Sequence, residues 1–97
     1  MSDMAAQLAQ FQVLTTLATA HPTLPGAYIT VPSHIPNRLI VQLNSAPDFE
    51  TWRETLAVAT DAVALSSDRR GFDLEATVVI ANITVEFWAR LDGGAES

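Results

Sequence analysis

Apolar and polar residues alternate along this chain with two different periods. Met4, Leu8, Phe11, Leu14 and Leu17-Ala18 recur at steps of three and four, with Gln and Thr between them. That spacing predicts an amphipathic helix of about four turns with this stripe turned inward. Ser2 or Asp3 can cap its start. His21 before Pro22 ends it, because a residue preceding proline is pushed out of helical geometry. Pro25-Gly26 then reads as a type II turn.

The period next drops to two. Ala27, Ile29 and Val31 share one side with Tyr28 and Thr30 opposite, and Leu39, Val41 and Leu43 share one side with Arg38, Ile40 and Gln42 opposite. Folded antiparallel, the two runs set Ile29 beside Val41 and Ala27 beside Leu43. Ser45-Ala46-Pro47-Asp48 carries a helix N-cap with an early proline. Phe49, Trp52, Leu56 and Ala59 follow on one helical stripe.

Residues 60–67 fit either a continuation of that helix or a strand. As a strand, with a loop over 68–71, they set Leu65 against Leu74 and Val63 against Ala76. The final segment is a long hairpin folded at Ala81-Asn82. It pairs Val78 with Val85, Ala76 with Phe87 and Phe72 with Leu91 on the inner side, and Asp73 with Arg90 on the outer. A two-residue type I′ turn there requires positive φ at Ala81, which alanine disfavours, so a four-residue loop in the same register stays open.

The element order αββαβββ predicts an α+β two-layer sandwich, with two helices on one face of a four- or five-stranded antiparallel sheet. Residues 1–91 form one domain and 92–97 a disordered tail. Phe11, Trp52 and Phe87 are expected between the layers. The run Leu24-Pro25, Tyr28-Ile29-Thr30-Val31, Leu39 to Leu43, Phe49-Glu50, Trp52-Arg53 and Leu56 resembles small uncharacterised actinobacterial proteins, some of which look like passengers of mobile elements. The lysine-free, Ala- and Arg-using composition fits a GC-rich genome. The resemblance covers residues 20–90, rests on core positions and implies the same fold. It carries no activity.

Charge and composition then exclude several roles. Eleven acidic residues face five arginines and no lysine, for a net charge of −6. Phosphate backbones are held by clustered Lys and Arg, and this chain has one adjacent pair, Arg69-Arg70. Neither nucleic acid nor an anionic membrane is an expected partner. Without cysteine there is no disulfide, thiolate nucleophile or Cys-based zinc site, which favours the cytoplasm. The N-terminus lacks a basic region of the signal-peptide kind, and no apolar run approaches the length of a membrane span.

The candidate chemistry is thin. His21 sits at a helix C-terminus, where a partly charged imidazole meets favourable partial charge. His34 follows Ser33 in a loop, but no Gly-x-Ser-x-Gly elbow surrounds them. Asp73, Glu75 and Glu86 share a sheet face and resemble a cation or glycosidase trio, although a solvated face accounts for them more simply. No catalytic residue, metal site or cofactor is assigned. Trp52 falls on the helical stripe and belongs to the core. Trp88 differs, because its register sends it to the helix-free side with Tyr28, Thr30, Ile40, Val79, Glu86 and Arg90. An aromatic patch rimmed by polar residues is how interfaces look. The expected function is therefore a non-enzymatic protein–protein interaction module, with homodimerisation through the open sheet face as one form of it. The alternative is a small-ligand domain with a cleft between helices and sheet.

Overall fold

The computed structural model describes residues 3–69 and 71–91. The chain opens with a 3-10 turn, Met4–Gln7, capped by the Asp3 carboxylate, which accepts the Ala6 N–H at 3.0 Å. It runs on into helix α1, Leu8–Ala20. The helix ends at His21, as the proline after it requires. The alternative cap Ser2 and the expected tail 92–97 lie outside the described residues.

Strands β1 (Tyr28–Thr30) and β2 (Arg38–Leu43) form the first hairpin, and Ile29 pairs with Val41 as the alternation predicts. The turn before it differs from expectation. Gly26 is absent from the positive-φ positions, so Pro25-Gly26 does not form a type II turn, which needs φ above zero at its glycine. The chain reverses earlier, where the Leu24 N–H donates to the His21 carbonyl at 3.0 Å.

Helix α2 spans Ala46–Thr55, and its Ser45 hydroxyl accepts the Asp48 N–H at 3.2 Å. Its far end closes through Ala57 at φ 58°. There the Val58 N–H donates to the Arg53 carbonyl and the Ala57 N–H to that of Glu54, the paired bonds of a Schellman motif. A 3-10 turn, Thr60–Ala62, then leads into β3, Ala64–Asp68, so residues 60–67 divide between turn and strand. Strands β4 (Gly71–Ile80) and β5 (Ile83–Leu91) complete the fold. Leu65 pairs with Leu74, and β3–β4 pairing runs on to Asp68 and Gly71, one step tighter than a 68–71 loop. Every expected β4–β5 pair is present: Val78 with Val85, Ala76 with Phe87, Phe72 with Leu91 and Asp73 with Arg90. Ala81 (φ 51°) and Asn82 (φ 68°) both take positive φ, as a two-residue type I′ turn demands.

The five strands lie in the order β1-β2-β5-β4-β3. The sheet is mixed rather than purely antiparallel, since β2 and β5 run parallel, with Val41 beside Phe87 and Leu43 beside Ala89. Connectivity accounts for this. Helix α2 carries the chain back along the sheet, so β3 starts at the same end as β2, and two hairpin reversals then leave β5 in that direction. A parallel pair needs such a crossover.

Both helices pack on one face. Their buried Val13, Leu17, Phe49 and Trp52 join Leu39, Val41, Leu43, Ala76, Ile83, Val85, Phe87 and Ala89 in a single core. Phe87 is central, with ring centroids 5.1 Å from Phe49 and 6.3 Å from Trp52.

The inward face of α1 corrects the sequence reading. The helix buries Gln10, Val13 and Leu17, while Met4 is 70% and Leu8 55% exposed and Phe11 is only half-buried. Gln10 explains the rotation. Its amide nitrogen donates to the carbonyls of Arg38 at 2.7 Å, Pro32 at 3.2 Å and Ile35 at 3.4 Å. One glutamine thus ties α1 to three backbone carbonyls between the end of β1 and the start of β2, of which that of Ile35 also accepts the Arg38 N–H at 3.1 Å.

Candidate functional site: the open sheet face and an apolar cleft

With both helices on the Phe87 side, the opposite face of the sheet carries every second residue of each strand. Its central row runs Tyr28, Gln42, Trp88, Glu75, Ala64 across the five strands. The neighbouring row runs Thr30, Ile40, Glu86, Thr77. Trp88 and Ile40 are half-buried and Thr30 is exposed, while Tyr28 is 70% and Val79 65% exposed.

Two ion pairs straddle the tryptophan. The Arg90 guanidinium lies 3.1 Å from Asp73 Oδ1 through Nε, and its Nη2–H donates to Oδ2 at 3.2 Å. Arg38 donates to Glu86 on the other side. The six residues singled out from the sequence, Trp88, Tyr28, Ile40, Thr30, Glu86 and Arg90, therefore do share this face. The parallel β2–β5 contact is what brings Tyr28, Thr30 and Ile40 alongside the rest.

The same geometry disperses the three carboxylates. Asp73 belongs to Arg90, Glu86 to Arg38, and Glu75 accepts from the Ser66 hydroxyl at 3.3 Å. Among the described residues, no group of three His, Asp or Glu side chains is arranged to hold a metal ion. His34 is exposed in its loop.

The second feature is a half-open cleft of about 380 Å³ between the end of α1, the loop into β1 and Trp52 of α2. Leu14, Leu17, Leu24, Ala27 and Ile29 contribute apolar walls. Two groups could orient a polar ligand there, and one is spent. The Trp52 indole N–H donates to the Pro25 carbonyl at 2.9 Å, leaving His21 as the single ionisable side chain in the wall. A built ligand site gathers several polar groups, and this cleft does not.

Sequence reasoning missed the Arg38–Glu86 pair and, although it named a cleft between helices and sheet as an alternative, none of the residues that line it. Arg38 and Glu86 were each on a strand of known phase, and pairing those strands would have joined them. The cleft's trace was the apolar run Leu24-Pro25-Gly26-Ala27 in a loop, where polar residues are the norm. No helix of the described residues is long and apolar enough to cross a membrane. No protein-family model, no curated protein and no solved structure matches the chain.

Proposed function

We propose that this protein is a non-enzymatic, cytoplasmic protein–protein interaction module that engages its partner through the open sheet face around Trp88. The observation that carries this reading is a tryptophan in the middle of a sheet face with both helices packed on the other side. Tryptophan is among the residue types that dominate binding energy when a partner seals them from water. The ion pairs flanking it hold the surrounding side chains in place, so less order remains to be imposed on binding. The acidic excess favours a partner with a basic rim.

Comparative capture from native cytosol tests the reading. A partner retained by the wild-type chain and by Leu8→Ser, but lost with Trp88→Ser, supports it. Equal capture by all three chains refutes it.

The 380 Å³ cleft favours one second reading, a binding site for a small, largely apolar molecule. Trp52 lines that cleft, so an occupant would change its fluorescence in a Trp88→Phe background. No response to a panel of aromatic and branched-alkyl compounds rules this reading out.

A further inference from the structure

The two edges of the sheet are built differently. Strand β1 has three paired residues and lies between Pro25 and Pro32. Shortness and proline are the usual defences of an exposed edge. Strand β3, at the other end, has β4 as its one neighbour in the sheet order. Its residues Ala64, Leu65, Ser66 and Ser67 are all exposed and none of them is charged or proline, the strand's one charge being Asp68 at its last position. Leu65 is 61% exposed and lies on the helix side of the sheet, in the row Leu43, Ala89, Leu74, Leu65. Phe72, one row along, is 44% exposed. A run of four uncharged, proline-free edge residues beside an uncovered apolar strip is a template for another strand.

We propose that this edge is a homodimer seam, on which β3 of a second copy of this chain pairs antiparallel about a twofold axis at Leu65. The strand's own sequence selects the occupant. Counting outward from that axis sets Leu65 against Leu65 of the second copy, Ala64 against Ser66 and Val63 against Ser67. On the helix side the rows join as Leu74, Leu65, Leu65, Leu74, and as Phe72, Ser67, Val63. On the other side small residues meet small residues. Antiparallel pairing also brings the N-terminal flank of one β3, which carries Asp61 in its 3-10 turn, beside the C-terminal flank of the other, which carries Arg69, twice by symmetry. Both residues are exposed. A twofold axis makes the interface isologous and closed. The seam is separate from the open face, and its axis leaves the open faces of both copies on one side of a continuous sheet.

Sedimentation of the full chain, from micromolar to near-millimolar concentration at low salt, tests the seam. The wild type forms a dimer of micromolar-range affinity, the low end expected for so short a strand pair. Leu65→Lys sets two like charges directly across the ladder and weakens the dimer at least about tenfold. Since Leu65 is largely exposed, the variant still folds, which its far-ultraviolet circular dichroism checks. Asp61→Arg weakens the dimer by like-charge repulsion, and adding Arg69→Asp restores it. A wild type that stays monomeric throughout overturns the proposal. So does a dimer that survives Leu65→Lys, or one lost with Trp88→Ser alone.

Discussion

The side-chain amide of Gln10 donates to the main-chain carbonyl of Arg38 across 2.7 Å, from a residue with no exposed surface. Through this bond and those to Pro32 and Ile35, α1 holds the loop that delivers β2 to its place between β1 and β5. Removing one partner of a buried hydrogen bond exacts the desolvation penalty of the group left behind, about 1–3 kcal/mol. Gln10→Ala should therefore destabilise by about 1–3 kcal/mol, through the Pro32 and Arg38 carbonyls, since that of Ile35 keeps the Arg38 N–H. Leu8→Ala, on the exposed side of the same helix, should stay within about 0.5 kcal/mol. Urea unfolding of the two variants checks which face of α1 is buried.

Phe87 anchors both aromatic contacts of the core. Phe87→Ala and Trp52→Ala should each cost about 3–5 kcal/mol, the usual range for a large buried aromatic. Trp52→Phe should lose less apolar contact but also the bond to the Pro25 carbonyl. Phe11→Ala should cost distinctly less than either, since Phe11 is half-buried and lies outside the core cluster.

Two alanines occupy backbone that alanine disfavours. Ala57 ends α2 at φ 58° and Ala81 turns the β4–β5 hairpin at φ 51°. A left-handed conformation costs an L-residue with a Cβ roughly 1–2 kcal/mol. Glycine escapes that strain but gives back part of the gain through a freer unfolded chain. Ala57→Gly and Ala81→Gly should each raise stability by about 0.5–1 kcal/mol, and Ala81→Asn should do likewise through asparagine's tolerance of this region. Thermal unfolding measures each shift, and the two effects should add because the sites are independent.

Arg53 joins Glu50 and the end of α2. It donates to both Glu50 carboxylate oxygens and, from Nη1, to the Val58 carbonyl at 2.6 Å. These hydrogen bonds hold the Glu50 carboxyl below its ordinary 4.5, against an upward push from partial burial and with the attraction of the Arg53 charge adding to them. A carboxyl whose folded pKa is depressed adds stability above its unfolded pKa and loses it as pH falls through the folded value. Glu50→Gln should then be less stable than wild type at neutral pH. The gap should close as the pH drops below 4.5. Urea midpoints of both chains across that range read it.

The strand registers were legible because alternation with period two leaves few choices. Asp73 against Arg90, Leu65 against Leu74 and Ile29 against Val41 all follow from matching apolar sides. The parallel contact of β2 with β5 was not legible. Leu39, Val41 and Leu43 present the same apolar row to Val85, Phe87 and Ala89 whichever way the strand runs, so pattern alone sets no direction. The face of α1 was obscured because Leu8, Phe11, Val13 and Leu17 distribute apolar surface around the helix. A buried glutamine broke the tie, and a polar residue is the last that a hydrophobic pattern places inside. The open face followed from Trp88 lying next to Phe87 on one strand. The cleft depends on where a loop crosses a helix, which periodicity does not encode.

Trp88 lies on the helix-free face of the sheet and Trp52 in the core, so truncating them should have unequal costs. Equilibrium urea unfolding of Trp88→Ser, beside Trp52→Ala, tests this most directly. Trp88 lies between Gln42 and Glu75 on an open face, where cross-strand pairs contribute roughly 0.2–1 kcal/mol each. Trp88→Ser should lose no more than about 1.5 kcal/mol, with the urea dependence unchanged. A loss of about 3 kcal/mol or more, matching that of Trp52→Ala, would place Trp88 in a core and contradict the proposed role of the open face.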